Sequence, residues 1–356
     1  MSGPHTPRVS VVIPSYQRCE SLRRTLVALT RQTLAPSDYE VVVSLDGSSD
    51  GSREMVAAFT APYALRAVWQ PNRGRAGACN AGVHESRGSV VVLLDDDMEP
   101  SPQCLAAHAA AHAADPRVGV LGAVPIAVGP CSPPVVVYVG KKFNEHLRRL
   151  SRPGARIDVR DFYSGNFSIR RSVLDEVGGY NEAFRDYGNE DGELAIRLLA
   201  AGVRLTLSTE ALARQHYEKD FAALARDSIA KGRTAVLCAH MHPDAVTQQR
   251  LGTYGAASLK WRTLRGLLLR ASHVVPALPD HVVRLVRWAE RRRPARMPKL
   301  YAFALDYLFW VGAQSAPAGG LPSVEPVRSA VQLGARATER TVRAPEHSPA
   351  EREGTA

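Results

Sequence analysis

Closely spaced cysteines and long apolar runs are both missing from this sequence of 356 residues. The five cysteines are scattered and never in C-x-x-C spacing, which indicates neither a disulfide framework nor a zinc site. No uncharged apolar run reaches the roughly 18 residues that a transmembrane helix needs. The nearest candidate, Leu300 to Ala313, is shorter and contains Asp306. The segment MSGPHTPRVS also lacks the apolar stretch of a signal peptide, so we expect a cytoplasmic protein with free thiols.

The net charge of +10 is concentrated in one segment of the chain. Lys260 to Lys299 contains eleven Lys or Arg residues against only Asp280 and Glu290, so the rest of the chain is close to neutral. A uniformly basic nucleic-acid-binding protein would not have this distribution, and we expect no nucleic-acid partner. The segment mixes Leu, Val and Trp with Arg at near-helical spacing. Its helices would either lie on an anionic membrane, at its inner face, or pack on the core with their arginines in solvent.

The first 120 residues alternate short apolar runs with helix-like stretches. Continuous apolar runs separated by helices are typical of a mostly parallel α/β sheet covered on both faces. Such sheets bind ligands at the carboxyl ends of their strands, where polar clusters follow each run here. We predict strands at Val9–Ile13, Glu40–Leu45, Leu65–Trp69 and Ser89–Leu94, and helices at Ser21–Gln32 and Ala76–Glu85.

The second half of the chain is less regular. We predict a strand over Phe162–Ile169 that is interrupted at Gly165-Asn166, a helix over Asp191–Ala201 and a short strand over Val203–Leu207. Helical patterns follow from Phe221, and the composition beyond Pro317 predicts disorder. The expected parts are an α/β domain at 1–219, a basic helical extension at 220–316 and a disordered tail at 317–356.

Three adjacent carboxylates, Asp95, Asp96 and Asp97, directly follow the predicted strand Ser89–Leu94. Adjacent carboxylates repel one another unless a cation compensates them. Magnesium is usually held by one or two carboxylates together with substrate phosphates. The triplet therefore indicates either a divalent metal that bridges a diphosphate or a solvated acidic turn, and its place after a strand favours the metal.

Two further groups have a structural and a functional interpretation. Asp191, in the segment GNEDGEL, either caps the helix that it begins or faces a cleft as a general base for an acceptor hydroxyl. His216, in RQHYEK, is either a packed side chain or a metal ligand.

Six segments occur in an order that is similar to a known family. They are VSVVIPSYQR, VVVSLDGSSDGS, QPNRGRAGACNAGV, VVVLLDDDMEP, FYSGNFSIRRSVLDEVGGYNE and GNEDGELAIRLLAAG. Together they resemble the inverting glycosyltransferases of family 2, which have the GT-A fold. GNEDGEL also resembles the acceptor-side segment of galactosyltransferase-type relatives. The resemblance covers roughly Val9 to Tyr217.

The resemblance implies a site in which each motif has a role. The residues that it places along the donor nucleotide and its sugar are Pro14, Tyr16, Arg18, Asp46, Asn72, Arg75, Asn80, Asp95 and Asp96. Asp97 and His216 would hold Mn²⁺ or Mg²⁺. Gly165, Asn166 and Glu190 would border the sugar and the acceptor, and Asp191 would be the general base.

The expected activity is therefore hexosyl transfer from a UDP-, GDP- or dTDP-sugar to a hydroxyl acceptor, with inversion. The acceptor remains open: a lipid-linked sugar, a polysaccharide end, a peptide or a secondary metabolite. A nucleotidyltransferase is disfavoured because its usual Gly-rich phosphate loop is missing from IPSYQRCE. A non-catalytic scaffold of the same fold, binding a membrane or an acidic polymer through the basic helices, is the alternative.

Overall fold

The computed structural model describes residues 6–248, 250–253, 255, 257–292 and 297–316, so the tail predicted at 317–356 lies outside the described residues. The strands are β1 (Val9–Ser15), β2 (Tyr39–Asp46), β3 (Ala64–Gln70), β4 (Val90–Leu94), β5 (Met98–Pro100), β6 (Val118–Gly122), β7 (Asn166–Arg170), β8 (Arg204–Ser208) and β9 (Ala213–Gln215). The α-helices are α1 (Cys19–Leu29), α2 (Ser52–Ala58), α3 (Gly74–Glu85), α4 (Cys104–Ala114), α5 (Pro134–Leu150), α6 (Arg171–Glu176), α7 (Glu190–Ala200), α8 (Phe221–Met241), α9 (Leu259–Val274), α10 (Leu278–Arg292) and α11 (Met297–Gln314).

Seven strands form one sheet in the order β3-β2-β1-β4-β7-β6-β8. β1 to β4 are mutually parallel and β6 is parallel to β8, whereas β7 runs antiparallel to both of its neighbours, β4 and β6. Every residue of β1, β2 and β4 is buried, which explains why these strands read as continuous apolar runs. The predicted mostly parallel sheet is confirmed.

Side chains that alternate along β1 enter two different cores. Val11 and Ile13 pack on the face covered by α1, and Val12 packs on the opposite face, with residues of α3. Gly82 of α3 lies so close to Val12 that a Cβ atom at this position would collide with its side chain. The two layers of helices therefore hold the loops at the strand ends on a rigid sheet.

A second, two-stranded sheet was not predicted. β5 pairs antiparallel with β9, and each strand has only three residues, too few for a hydrophobic period. Next to this small sheet, the His216 backbone N–H donates to the carbonyl of Asp97 at 2.9 Å. A segment from the end of the α/β region is thus fixed beside the acidic triplet.

Other differences from the sequence prediction concern the second half. The strand expected over Phe162–Ile169 begins at Asn166, because the preceding segment forms a loop that runs to the carboxyl end of β4, where the Asp95 N–H donates to the Gly165 carbonyl at 2.9 Å. The predictions did not include α4, whose alanine-rich sequence has no apolar period, nor β6, which has only five residues.

The four helices α8 to α11 follow the sheets and form a third core. α8 and α11 cross with their backbones in contact, because a Cβ atom on Gly232 would collide with the Phe309 carbonyl and one on Gly312 with the Ile229 carbonyl. Within the described residues, no helix has the length and apolarity needed to span a bilayer. The strands end at Gln215, but the division of the chain at 219 and 316 stays a prediction.

Candidate functional site

Arg18 binds two members of the acidic triplet at the carboxyl edge of the sheet. Its Nε lies 3.2 Å from Asp96 Oδ1, and its Nη2 lies 3.3 Å from Asp97 Oδ2. Ser15, the last residue of β1, donates its hydroxyl to Asp96 Oδ2 at 2.7 Å. The parallel neighbours β1 and β4 thus bring the residues after them together, as the sequence predicts.

Burial makes the ionised forms of these carboxyls unfavourable. It raises the pKa of Asp96 to about 7, against the pull of Arg18, and it raises the pKa of Asp97 to about 6 with a further contribution from Asp95. Among the described residues, the three carboxylates form salt bridges with two arginines, Arg18 and Arg75, so a further cation would be favourable here. The oxygen donors fit Mg²⁺ or Mn²⁺.

The described residues contain no group of three or more His, Cys, Asp or Glu side chains that could enclose a metal. A cation completed by substrate phosphates does not require one. The His216 ring Nε2 lies 2.8 Å from Glu99 Oε2, and Gln215 Nε2 lies 3.3 Å from both oxygens of Asp97. The ring of His216 is therefore engaged by Glu99, while its backbone is bonded to Asp97.

A second charged cluster surrounds Arg75 of α3. Arg75 Nη2 lies 2.7 Å from Asp95 Oδ1, and Nη1 lies 3.0 Å from both Asp191 Oδ1 and Ser164 Oγ. Asp191 also accepts hydrogen bonds from the backbone N–H and hydroxyl of Ser164. One arginine thus joins the acidic triplet to the first turn of α7.

The carboxylate of Asp191 faces this cluster and does not cap its own helix. The helix cap is Asn189, in the left-handed region with φ 65°, and it makes no side-chain capping bond. Its side chain instead donates to the Lys231 carbonyl at 2.9 Å and to Thr234 Oγ1 at 2.8 Å. α8 thus holds the turn that directs Asp191 toward Arg75.

Glu190 lies beside Asp191 in the first turn of α7. It is buried, its Oε1 lies 3.9 Å from Arg75 Nη1, and its Oε2 has no hydrogen-bond partner among the described residues. Burial, reinforced by Asp191, raises the pKa of Glu190 to about 7. This carboxyl group can therefore be protonated near neutral pH and donate a hydrogen bond.

The buried carboxylate of Asp46 already has three donors within the protein. It accepts from Gln70 Nε2 at 2.7 Å and from the backbone N–H groups of Arg73 and Gly74, both at 2.9 Å. Its structural effect is to hold the loop between β3 and α3 and the first turn of α3, which contains Arg75. The role of Asp46 along the donor nucleotide, implied by the resemblance, stays a prediction.

Two predicted site residues use their amide groups within the protein. Asn80 is bonded through its amide to the backbone N–H and carbonyl of Tyr180, both at 2.8 Å. Asn166 is fully buried, 3.0 Å from His108 Nε2 and 2.8 Å from the Ala211 carbonyl. The structure thus shows supporting contacts for both.

Four predicted site residues remain: Pro14, Tyr16, Asn72 and Gly165. Pro14 is buried within β1, whereas Tyr16 and Asn72 are exposed. Gly165 lies against the triplet, since a Cβ atom there would stand 2.5 Å from Asp95 Oδ2. A side chain at position 165 would therefore push the Asp95 carboxylate away from Arg75.

A cavity of about 590 Å³, here called the site cavity, opens beside these groups. Arg75, Asp95, Glu190 and Asp191 line it from the α/β region, and Lys231 lines it from α8. The C-terminal helices thus build one wall of the site, which the sequence did not predict.

Tyr187 also lines the site cavity and was missed, as were Ser164 and Lys231. The Nζ atoms of Lys219 and Lys231 lie 4.4 and 5.1 Å from the centre of the Tyr187 ring. An aromatic ring between two cations beside a carboxyl pair is suited to holding a polar organic ligand. Long-range packing brings Lys231 here, whereas Ser164 directly precedes Gly165 and Tyr187 directly precedes the segment GNEDGEL, so the motifs could have indicated these two residues.

Comparison with known proteins gives two family matches. Residues 10–178 match the family model of glycosyl transferase family 2, and residues 145–219 match the N-terminal domain of galactosyltransferase. The second match contains the GNEDGEL segment.

Curated relatives are glycosyltransferases by name. The validoxylamine A glucosyltransferase of Streptomyces hygroscopicus subsp. limoneus is 33% identical over 230 residues, which cover 58% of this chain and 51% of the relative. The pre-mycofactocin glycosyltransferase of Mycobacterium tuberculosis is 28% identical over 301 residues, covering 81% and 60%. The chain thus spans about half the length of the first relative.

Two solved structures have a similar fold. The mannosyltransferase of Pyrobaculum calidifontis, in complex with GDP-Man and Mn²⁺, has a TM-score of 0.53 and 20% identity, with coverage of 95% of this chain and 86% of that one. TarS of S. aureus (residues 1–349), in complex with UDP-GlcNAc, has a TM-score of 0.50 and 14% identity, with coverage of 86% and 90%. The expected GT-A fold is confirmed.

Proposed function

We propose that the protein transfers a hexose from a nucleoside diphosphate sugar to an acceptor hydroxyl, because its residues 10–178 match the family model of glycosyl transferase family 2. The observation that carries the proposal is the cluster of Asp95, Arg75 and Asp191 on the wall of the site cavity. Through Arg75, this cluster connects the acidic triplet, where the leaving diphosphate would bind, to Asp191, the proposed base. The solved structures of this fold with GDP-Man and with UDP-GlcNAc support a nucleotide sugar as donor.

Asp97 and His216 are the proposed ligands of a Mg²⁺ or Mn²⁺ ion, and Glu99 would orient the His216 ring. When bound, such an ion neutralises the charge that develops on the leaving diphosphate. Arg18 would supply a second positive charge at the same place, since its guanidinium already lies against Asp96 and Asp97. Asp95 and Asp96 would then face the ribose and the sugar.

Asp191 is the proposed general base. An inverting displacement needs one base on the face of the sugar ring opposite the leaving group, and no protein nucleophile. Arg75 and Ser164 fix the orientation of the Asp191 carboxylate. It would therefore not have to reorient before it takes the proton of the acceptor hydroxyl. Glu190, protonated near neutral pH, would donate a hydrogen bond to the acceptor.

A non-catalytic scaffold is not favoured, because the proposed base, its positioning groups and the acidic triplet are held together around Arg75. The name of the validoxylamine A relative supports a small metabolite as one acceptor class to test, beside lipid-linked sugars and polysaccharide ends.

The first test is thermal unfolding with UDP, GDP, dTDP and CDP, each with and without Mn²⁺. A ligand present at about 100 times its dissociation constant adds about 2.7 kcal/mol of stability, a clear shift. We expect a metal-dependent shift with one nucleotide, which would also identify the base of the donor. No shift with any nucleotide would refute the donor site.

The same assay tests the metal ligand. Asp97→Ala should abolish the metal-dependent part of the nucleotide shift. Asp175→Ala is the matched control, because Asp175 is an exposed residue of α6, on an element that does not line the site cavity. An undiminished metal-dependent shift in Asp97→Ala would remove Asp97 as a ligand.

A further inference from the structure

Exposed apolar side chains are concentrated on α9, α10 and the turn between them. Among the described residues, seven of the fourteen large apolar side chains exposed to solvent lie there, and Val274 and Leu259 are 82% and 77% exposed. The seven are Leu259, Leu264, Leu267, Val274, Val275, Leu285 and Trp288. Such a concentration is typical of an interaction surface, whereas single exposed apolar residues are ordinary.

Packing on the core accounts for only one face of each helix. α9 turns Leu269 inward and α10 turns Val286 inward, both into the core formed with α8 and α11. Leu264, Leu267 and Val274 lie three or seven residues apart, and they therefore form a second, outward stripe on α9. A helix that only packs on a protein core has one apolar stripe and a polar opposite face.

The charge of this surface is strongly positive. Seven basic side chains between residues 257 and 292 are exposed, against one exposed acid, Asp280. The exposed basic residues are Lys260, Arg262, Arg270, Arg284, Arg287, Arg291 and Arg292. The other acid of the segment, Glu290, is bonded to the hydroxyl of Tyr301.

Basic and apolar groups are interleaved on α10. Leu285 and Trp288 are three residues apart, with Arg284 and Arg291 beside them along the helix, and the Arg292 guanidinium carbon lies 5.6 Å from the Trp288 ring centre. Tryptophan with neighbouring arginines suits the boundary between lipid headgroups and acyl chains. An acidic polymer would match the arginines but leave the leucines and valines in water.

We propose that this surface, named the basic helical face and comprising the exposed residues of 259–292, docks on an anionic phospholipid bilayer. The leucine, valine and tryptophan side chains would enter the headgroup region, and the arginines would pair with lipid phosphates. The face is joined to the site cavity through α8, since Arg287 of α10 lies 3.8 Å from Asp220, which caps α8. Docking would therefore hold the site cavity close to the lipid surface. The proposal does not depend on the proposed catalytic activity.

Sedimentation of the full chain with vesicles tests the proposal. We expect binding to vesicles of phosphatidylglycerol and phosphatidylcholine in equal parts, little binding to pure phosphatidylcholine, and weaker binding as salt is added. Arg284→Glu combined with Arg291→Glu should lower the affinity for the anionic vesicles at least about tenfold. Both arginines are exposed and form no hydrogen bond or ion pair within the described part of the chain, so the fold should be retained.

Matched controls separate docking from non-specific attraction. Arg31→Glu combined with Arg53→Glu makes the same change of net charge at exposed positions on the α/β region and should leave vesicle binding within about twofold of the parent. Trp288→Ser should weaken binding and Trp69→Ser should not, although the two rings are 47% and 48% exposed. Absence of binding by the full chain, or equal losses in variant and control, would overturn the proposal.

Discussion

The carboxyl edge of the sheet and the C-terminal helices differ in the burial of their charged groups. At the sheet edge, Asp96, Asp97 and Glu190 are buried, and burial raises the pKa of each. In the helices, the buried charge of Arg265 is matched by Asp306 at 2.9 Å, and the other basic residues of α9 and α10 are exposed. Charged groups are thus buried at the sheet edge, where a ligand would compensate them, and mostly exposed to solvent on the helices.

This difference implies a difference in stability. A carboxyl group whose pKa is raised by folding lowers stability wherever it must ionise, so the site opposes folding at neutral and higher pH. The contact between α8 and α11, through Gly232 and Gly312, instead packs apolar side chains of the two helices against each other. We therefore expect changes at the site to affect activity most, and changes at the helix contact to affect stability most.

Asp191→Asn should have the largest effect in the molecule. The amide oxygen can still accept the hydrogen bond from the Ser164 backbone N–H, but the amide cannot take up a proton from the acceptor hydroxyl, so transfer should fall by about 10²–10⁴-fold. Nucleotide binding, measured by the thermal shift, should be retained. Initial rates with a competent donor and acceptor are the measurement, and Asp175→Asn is the control at an exposed site. Wild-type turnover in Asp191→Asn would assign the base elsewhere, with Glu190 as the first alternative.

Gly312→Ala should be the largest change of stability. Its methyl group would collide with the Ile229 carbonyl, and overpacking of this kind costs about 3 kcal/mol when helices cannot separate freely. Gly266→Ala is the matched control, because Gly266 of α9 has open space around its Cβ position and should gain about 0.5–1 kcal/mol from helix propensity. Urea unfolding compares the two. Equal stabilities would contradict the close helix contact.

The sequence alone predicts some features of the sheet and not others. Continuous apolar runs predicted β1, β2 and β4, because strands buried on both faces select apolar side chains at every position. The acidic triplet was expected at a strand end, and the structure places it there beside Arg18. The antiparallel direction of β7 was not predictable, since the apolar pattern of a buried strand is the same in either direction.

No local sequence pattern indicates the side-chain contacts that organise the site. Ser164 and Asp191 are 27 residues apart, and Arg75 and Asp95 are 20 apart, so their pairing depends on how the loops fold over the sheet. Asn80 was expected in the cleft because its motif matched, yet its amide is bonded to the Tyr180 backbone. A motif can indicate a residue type at a place, but the direction of a side chain depends on packing.

Glu190→Gln should give a smaller change of stability, and its dependence on pH tests why the site opposes folding. Burial raises the pKa of Glu190 from 4.5 to about 7, so the folded state retains a proton that the unfolded state has lost between these values. Parental stability should therefore fall as the pH rises through this window, whereas the glutamine variant lacks this contribution. The variant should match the parent near pH 4 and exceed it near pH 8 by on the order of 2 kcal/mol. Urea unfolding at several pH values measures the difference. A difference that stays constant with pH would mean that Glu190 ionises without cost, and that the buried charge of the site does not oppose folding.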